Sequence, residues 1–214
     1  MAAATKARIL DAAQALFNAQ GFGRVTTAAL ARAAGVAEGN LWYHFKNKRR
    51  LLEALSERFV VRIQTRLAIR PLPGAPVTAE YARFLRAFAE ELVDFRFLYR
   101  DQADYGEHAP PVLHRLPEFY VRTGEQLSAF LSAMIEAGDL DWPRDRLADL
   151  VGNSLIVLRF GLEYLREAGG GREDAAGAVD EVLRRQLSLF DHALTPDAAS
   201  RLRAALSVAE ARAA

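Results

Sequence analysis

Apolar residues recur at intervals of three and four along almost the whole chain, which is the spacing of one face of an α-helix. Ile9, Ala13 and Phe17 mark such a face near the start, and Leu52 and Leu55 belong to another. No segment alternates apolar and polar residues over the length of a strand. The pattern therefore predicts an all-α fold.

Proline and glycine runs divide this pattern into about eight to ten helices. The breaks lie at PLPGAP (71–76), at GEHAPP (106–111) and at GGG (169–171). The predicted helices are 3–19, 26–34, 38–45, 48–66, 77–99, 117–137, 144–167, 174–193 and 196–212. We expect three parts: a helix-turn-helix domain at 1–50, a connecting helix at 51–70, and a larger helical domain at 71–214.

Composition narrows the class of protein. With 51% hydrophobic and 26% charged residues, the 214-residue chain has the balance of a globular protein. Cysteine is absent, which excludes disulfides and thiol chemistry and suits a reducing cytoplasm. The chain begins without the apolar run of a secretion signal and contains no stretch of about 18 apolar residues. We expect a cytoplasmic protein with no membrane partner.

Charge is distributed unevenly although the net charge is only +1. Residues 1–66 contain eleven Lys or Arg against four acidic residues, and the remaining residues contain 17 against 23. A basic first third on an acidic remainder indicates a region that binds a polyanion. Chance clustering on solvated helix faces is the alternative explanation.

Residues 26–45 predict two short helices joined at a sharp angle. Thr26 or Thr27 is placed to cap the first helix, and Gly35 ends it with a backbone that turns abruptly. Leu41 and Phe45 are four residues apart and face inward. This arrangement is a helix-turn-helix, whose second helix is free to enter the major groove of DNA.

The outward side of that second helix carries small and polar groups. Gly39 lets the backbone approach DNA closely, Asn40 offers the amide that pairs well with adenine, and Tyr43 and His44 offer donors for phosphate oxygens. Lys48 opens the next helix, where free amides already favour an anion. Each residue also has a structural interpretation, such as a neutral His44 that only packs.

The pattern over about residues 5–55 resembles the DNA-binding domain of the TetR family of bacterial transcriptional regulators. The resemblance is specific because sixteen positions match at fixed spacing. They are Phe17, Gly21, Phe22, Thr26, Thr27, Leu30, Ala31, Gly35, Val36, Gly39, Leu41, His44, Phe45, Lys48, Leu51 and Leu52.

The resemblance implies a role for each matching position. Thr27 would contact a phosphate; Glu38, Gly39 and Asn40 would face base edges; Tyr43, His44 and Lys48 would contact the DNA backbone. Glu38 could instead cap its helix, because a carboxylate repels phosphate.

Two positions depart from the family pattern. Ala37 replaces the usual hydroxyl cap, so the second helix is expected to order partly on DNA. Trp42 replaces the usual tyrosine, which changes a phosphate contact or leaves the indole covering the edge of the core.

Two C-terminal helices predict a homodimer. The helix at 144–167 is apolar nearly all round, so it needs more cover than its own domain supplies. The helix at 174–193 adds the stripe Val179, Val182, Leu183, Leu187 and Phe190. Two such helices from each subunit would form a four-helix interface, and the family resemblance also implies a dimer. A deeply buried helix in a monomer is the alternative.

Aromatic and polar residues between 84 and 164 are candidates for a small-molecule effector pocket, because such pockets combine apolar walls with a few polar groups. An aromatic stripe at helical spacing is also typical of ordinary core. The candidates are Phe88, Phe95, Tyr99, Tyr105, His108, His114, Tyr120, Phe160 and Tyr164.

Catalytic and metal chemistry find no support in the sequence. His108 and His114 are six residues apart, which matches no metal-ligand spacing, and there is no Ser-His-Asp arrangement, phosphate loop or dinucleotide fingerprint. We expect neither an enzyme nor a cofactor. The predicted function is a sequence-specific transcriptional regulator, a repressor released from a palindromic operator by an effector. The alternative is a DNA-organising or assembly protein that uses the same domain without an effector.

Overall fold

The computed structural model describes residues 2–72, 74–105, 110–169 and 175–207, and they form an all-helical fold. Within those ranges the helices are α1 (Ala2–Gln20), α2 (Thr27–Ala33), α3 (Glu38–His44), α4 (Lys48–Leu67), α5 (Val77–Asp94), α6 (Arg96–Arg100), α7 (Leu116–Glu136), α8 (Leu147–Ala168), α9 (Ala175–Ser188) and α10 (Pro196–Ser207). Short 3₁₀ turns follow α6 and α9 and precede α7 and α8. The predicted fold class is confirmed.

The predicted helix at 77–99 is wrong in one respect, because the chain leaves the helix at Phe95 and α6 starts anew. Side chains of α1 explain the break. Gln14 and Asn18 both donate to the Asp94 carbonyl, at 2.8 and 2.9 Å, and the Asn18 side-chain oxygen accepts from the Phe97 amide at 3.1 Å. These bonds satisfy the backbone groups that the break leaves without helical partners.

The chain divides into two compact units. Unit 1 comprises residues 1–63 and 94–116 and contains the basic first third. Its core is aromatic: Phe17 lies 5.2 Å from Phe22 and 5.5 Å from Phe97, and Phe22 lies 5.0 Å from Tyr105, measured between ring centroids. Residues 94–116 are therefore part of the packing of the N-terminal unit.

Unit 2 comprises residues 64–93 and 117–214. Rings from two of its helices meet in its core, where Phe130 lies 5.7 Å from Tyr81 and 5.5 Å from Phe84. Helices α8 and α9 pack closely at Gly161, where an added Cβ would lie 2.9 Å from a methyl carbon of Val182. Within the described ranges, no helix is long and apolar enough to cross a membrane.

Candidate nucleic-acid interface

The turn between α2 and α3 forms as the sequence predicts. Thr26 caps α2 by accepting a hydrogen bond from the Ala29 amide at 3.2 Å. Gly35 has a φ of +62°, and the Val36 amide returns to the Ala31 carbonyl at 3.0 Å. This closure at a left-handed glycine satisfies the end of α2 and redirects the chain into α3.

Helix α3 has one buried side and one open side. Leu41 is fully buried and Phe45, just after the helix, is 4% exposed. Glu38, Gly39 and Asn40 are all exposed. Because the first turn makes few core contacts, its backbone and side chains are accessible to a large ligand.

The second half of α3 carries three rings with different environments. Tyr43 is 82% exposed and meets His44 edge to face at 5.4 Å, while Trp42 and His44 are half-buried. Ala37 forms no side-chain cap, as the sequence predicts. Trp42 is therefore partly accessible to solvent.

Thr27 and Lys48 flank α3 in the chain, and the structure places them differently. Thr27 is the first residue of α2 and is half-buried. The Lys48 amine turns inward, donates to the Phe22 carbonyl and lies 4.2 Å from the centre of the Phe22 ring. Burial lowers the pKa of Lys48. Lys48 therefore ties the start of α4 to the loop after α1.

The first turn of α4 is already capped within the chain. The Asn47 side-chain oxygen accepts from the Arg50 amide at 2.9 Å. Arg49 and Arg50 both pair with Glu53, at 3.0 and 2.7 Å. Hydrogen bonds from Arg50 and then Arg49 lower the pKa of Glu53. Arg49 and Arg50 thus have an anionic partner on α4, although both contribute to the excess of basic residues in the first third of the sequence.

A polar cluster that the sequence did not predict holds residues 94–116 within unit 1. Asp101 is 5% exposed and accepts from the Phe22 amide at 2.8 Å. Arg100 donates to Asp101 at 2.5 Å and to the carbonyls of Phe17 and Asn18 at 2.9 and 3.0 Å. The end of α1 is therefore capped by an arginine about 80 residues away. The adjacent Arg100 and Asp101 were the feature of the sequence that could have indicated this cluster.

Four of the predicted effector-binding residues lie in unit 1. Phe95 is buried with its ring 5.2 Å from that of Phe59, and Tyr99 meets the same ring at 5.4 Å. Tyr105 is 1% exposed and donates to the Phe97 carbonyl at 2.6 Å, and burial raises its pKa. His114 is exposed. His108 lies outside the described residues.

The other four lie in unit 2. Phe88 is 2% exposed and its ring lies 4.4 Å from the Arg66 guanidinium. Tyr120 is half-buried and accepts from Arg159 at 2.9 Å. Phe160 and Tyr164 project from α8 with 56% and 57% exposure. Contact with an effector stays a prediction for all of these residues.

Within the described part of the chain, no three His, Cys, Asp or Glu side chains come together in an arrangement that could hold a metal ion. The residues around α3 offer hydrogen-bond donors, rings and cations. These groups can position a polyanion and discriminate among its exposed edges.

Comparison with protein families matches both parts of the chain. Residues 9–55 match the model of bacterial regulatory proteins of the tetR family. Residues 58–202 match the model described as bacterial transcriptional repressor, TetR. Together the two matches include the helix-turn-helix and most of unit 2.

Individual proteins give the same picture. The class A tetracycline repressor protein from transposon 1721 of Escherichia coli is 29% identical over 199 residues, which are 89% of this chain and 82% of that protein. The regulator TtgR of Pseudomonas putida is 43% identical over 51 residues, 24% of each chain. A TetR-family regulator structure from Marinobacter aquaeolei aligns with a TM-score of 0.76 at 22% identity, covering 94% of this chain and 97% of that one.

Proposed function

Because this chain belongs to the TetR family of bacterial transcriptional regulators, we propose that it is a homodimeric repressor that leaves a palindromic operator when a small-molecule effector binds. The observation that carries the proposal is the exposed first turn of α3, which is held away from the core by the turn at Gly35. A short helix presented in this way fits the major groove of DNA.

In the proposed complex the residues of unit 1 divide into two groups. Glu38, Gly39 and Asn40 face base edges, and their exposure supports this role. Thr27, Trp42, Tyr43, His44 and Lys48 contact the DNA backbone. Lys48 would add its charge at the start of α4 while its amine also stabilises the unit through Phe22. Base contacts set sequence preference, whereas backbone contacts set register and affinity.

The outer face of α8 supports the proposed dimer. Ile156, Phe160 and Tyr164 recur at every fourth position and are 59%, 56% and 57% exposed. A Cβ built at Gly152, one turn earlier, meets no described atom within 4 Å. An apolar stripe that ends at an unobstructed glycine fits close packing against a second copy.

The stripe predicted for the helix at 174–193 does not add to that face, because its members are buried in unit 2. Val182 and Leu183 of α9 are 1% and 2% exposed, and Phe190, which follows the end of α9 at Ser188, is fully buried. In the proposed dimer α8 therefore supplies the apolar contact, and α9 contributes residues from its other faces.

Helix α4 supports the proposed response to an effector because its residues belong to both units. Its last turn is fixed within unit 2: Arg66 is 2% exposed and pairs with the fully buried Glu91 at 2.8 Å. Gln126 donates to the Arg66 and Ile69 carbonyls at 2.9 and 2.5 Å. An effector that favours another packing of this turn would also reposition the start of α4. Such a movement would link effector binding to DNA binding.

Footprinting on the DNA beside the protein's own gene tests the proposal. A repressor is expected to protect one or two short palindromes, and an effector is expected to abolish that protection. Many scattered protected sites, unchanged by any metabolite tried, would favour the DNA-organising alternative instead.

A further inference from the structure

We propose that unit 2 also contains a binding site for a small carboxylate with an apolar body, in a cavity between α5, α9 and α10. The cavity has a volume of about 350 Å³. Its walls include Leu183 and Leu187 of α9 and Leu206 of α10, with Arg86 of α5 beside them. This volume lies within the usual range of about 300–1,000 Å³ for ligand pockets. The site goes beyond the proposed repressor function and does not depend on it.

Arg86 is the cation that a carboxylate would meet. Its side chain is only 18% exposed, and its Nη2 lies 3.4 Å from the Asp180 carboxylate. Charge-assisted bonds of this type are usually about 2.7–2.9 Å, so the attraction is weak for a guanidinium removed from water. Nη2 also donates to the Leu206 carbonyl, and Nε is buried with no partner among the described residues. Among the described residues, the charge of Arg86 is therefore poorly compensated.

The rest of the lining favours an anion over a cation. Arg86, Arg184 and Arg203 line the cavity against Asp180 and Asp191. Arg184 is held by Glu181, at 2.7 and 2.6 Å, and Arg203 is exposed, so Arg86 is the inner positive group. The Asp180 side chain is 38% exposed, so it can turn to solvent when a stronger partner occupies Arg86.

The leucine walls define the other half of the ligand. Leu183, Leu187 and Leu206 are 2%, 9% and 8% exposed and offer no hydrogen-bonding side chain. An alkyl or aryl group placed against such a wall gains because its own apolar area leaves water. A carboxylate at Arg86 joined to such a group satisfies both halves of the cavity.

Calorimetric titration of the full chain with octanoate tests the site, with 1-octanol and octylamine as neutral and cationic probes of the same length. We expect octanoate to bind with a dissociation constant below about 1 mM and the other two probes to bind at least about tenfold more weakly, the effect of losing a charge-assisted hydrogen bond. Failure of octanoate to bind, or equal binding of octanol, would overturn the proposal.

Three variants locate the binding. Arg86→Gln is expected to weaken octanoate at least about tenfold, while Arg83→Gln, which removes an exposed arginine of the same helix, leaves it unchanged. Asp180→Asn removes the competing carboxylate and is expected to tighten octanoate several-fold. A folded Arg86→Gln protein with wild-type affinity, or an Asp180→Asn protein that binds no better than wild type, would contradict the site. If Arg86→Gln does not fold, the affinity of Asp180→Asn for octanoate tests the site. These titrations measure octanoate binding only, so their results are independent of DNA binding.

Discussion

At the scale of single residues, the two sides of α3 separate packing from recognition. Leu41 is fully buried whereas Asn40, its neighbour in sequence, is exposed. Changes on the open side therefore alter ligand contacts with little effect on folding, because they disturb no core contact. Lys48 is different, since one amine is placed both to hold the unit together and, in the proposed complex, to lie near bound DNA.

Asn40→Ala is expected to relax sequence preference at one position of each half-site. A lost bidentate contact to a base costs about 1–3 kcal/mol of discrimination, and the free energy of unfolding should stay within about 0.5 kcal/mol because the side chain is exposed. Binding to a panel of single-base operator variants measures the first quantity. Uniform weakening on every sequence would show that Asn40 does not read a base.

Lys48→Met is expected to lower both stability and salt sensitivity. The Phe22 carbonyl loses its donor, which costs about 1 kcal/mol. If the amine also neutralises a phosphate, the slope of log K against log salt becomes about one unit shallower on every DNA sequence. Denaturant unfolding and salt titrations measure the two effects, with Arg83→Gln in unit 2 as the control for net charge. An unchanged slope would remove Lys48 from the DNA contacts and leave its packing role.

At the scale of helices and segments, residues 94–116 belong to the folding of the DNA-binding unit. The main tie is Asp101, which accepts from the Phe22 amide and from Arg100. Because Arg100 also donates to the carbonyls that end α1, the segment and α1 stabilise each other. Residues 1–50 alone would lack these bonds.

Asp101→Ala is expected to destabilise unit 1 by about 2 kcal/mol, because it leaves the buried Phe22 amide without its acceptor and removes the carboxylate that pairs with Arg100. Asp104→Ala, at an exposed position three residues later, is the control and should have little effect. Hydrogen exchange of the Phe22 amide provides the measurement. Equal exchange rates in the two variants would show that Asp101 does not hold the loop.

The proposed dimer makes opposite predictions for two glycines of α8. Gly152→Glu places a charge in the proposed interface at a position where an added Cβ meets no described atom within 4 Å, so the monomer should fold while the dimer weakens at least about 100-fold. Gly161→Ala instead meets Val182 and should lower the melting temperature. Sedimentation velocity and thermal unfolding distinguish these outcomes. A Gly152→Glu protein that remains dimeric would place the interface elsewhere.

The sequence predicted those helices and faces that depend on local spacing. The cap at Thr26, the turn at Gly35 and the inward Leu41 and Phe45 follow from residues within about one helical turn of each other, and the structure confirms them. The break at Phe95 depends on Asn18, 76 positions before Asp94, and the inward Lys48 depends on the Phe22 carbonyl 26 positions back. Helical periodicity contains no information about such distant partners.

At the scale of the whole molecule, the proposed function depends on two copies of α3 acting together. In a symmetric dimer the two helices must meet major grooves about 34–36 Å apart, one turn of DNA, so the operator should repeat the symmetry of the protein. An effector that favours one arrangement of the dimer by several kcal/mol would then switch binding off. Loss of the α8 contact should weaken specific binding even though both recognition helices remain folded.

Selection of double-stranded DNA from a random pool tests the central claim most directly. The purified full chain is mixed with the pool at low salt, and bound sequences are recovered and read. We expect enrichment of an inverted repeat with half-sites about 10–10.5 base pairs apart, centre to centre, and loss of that enrichment in a protein whose Glu38, Gly39 and Asn40 face is altered. Recovery of no common sequence, or of a single half-site bound by a monomer, would contradict the account.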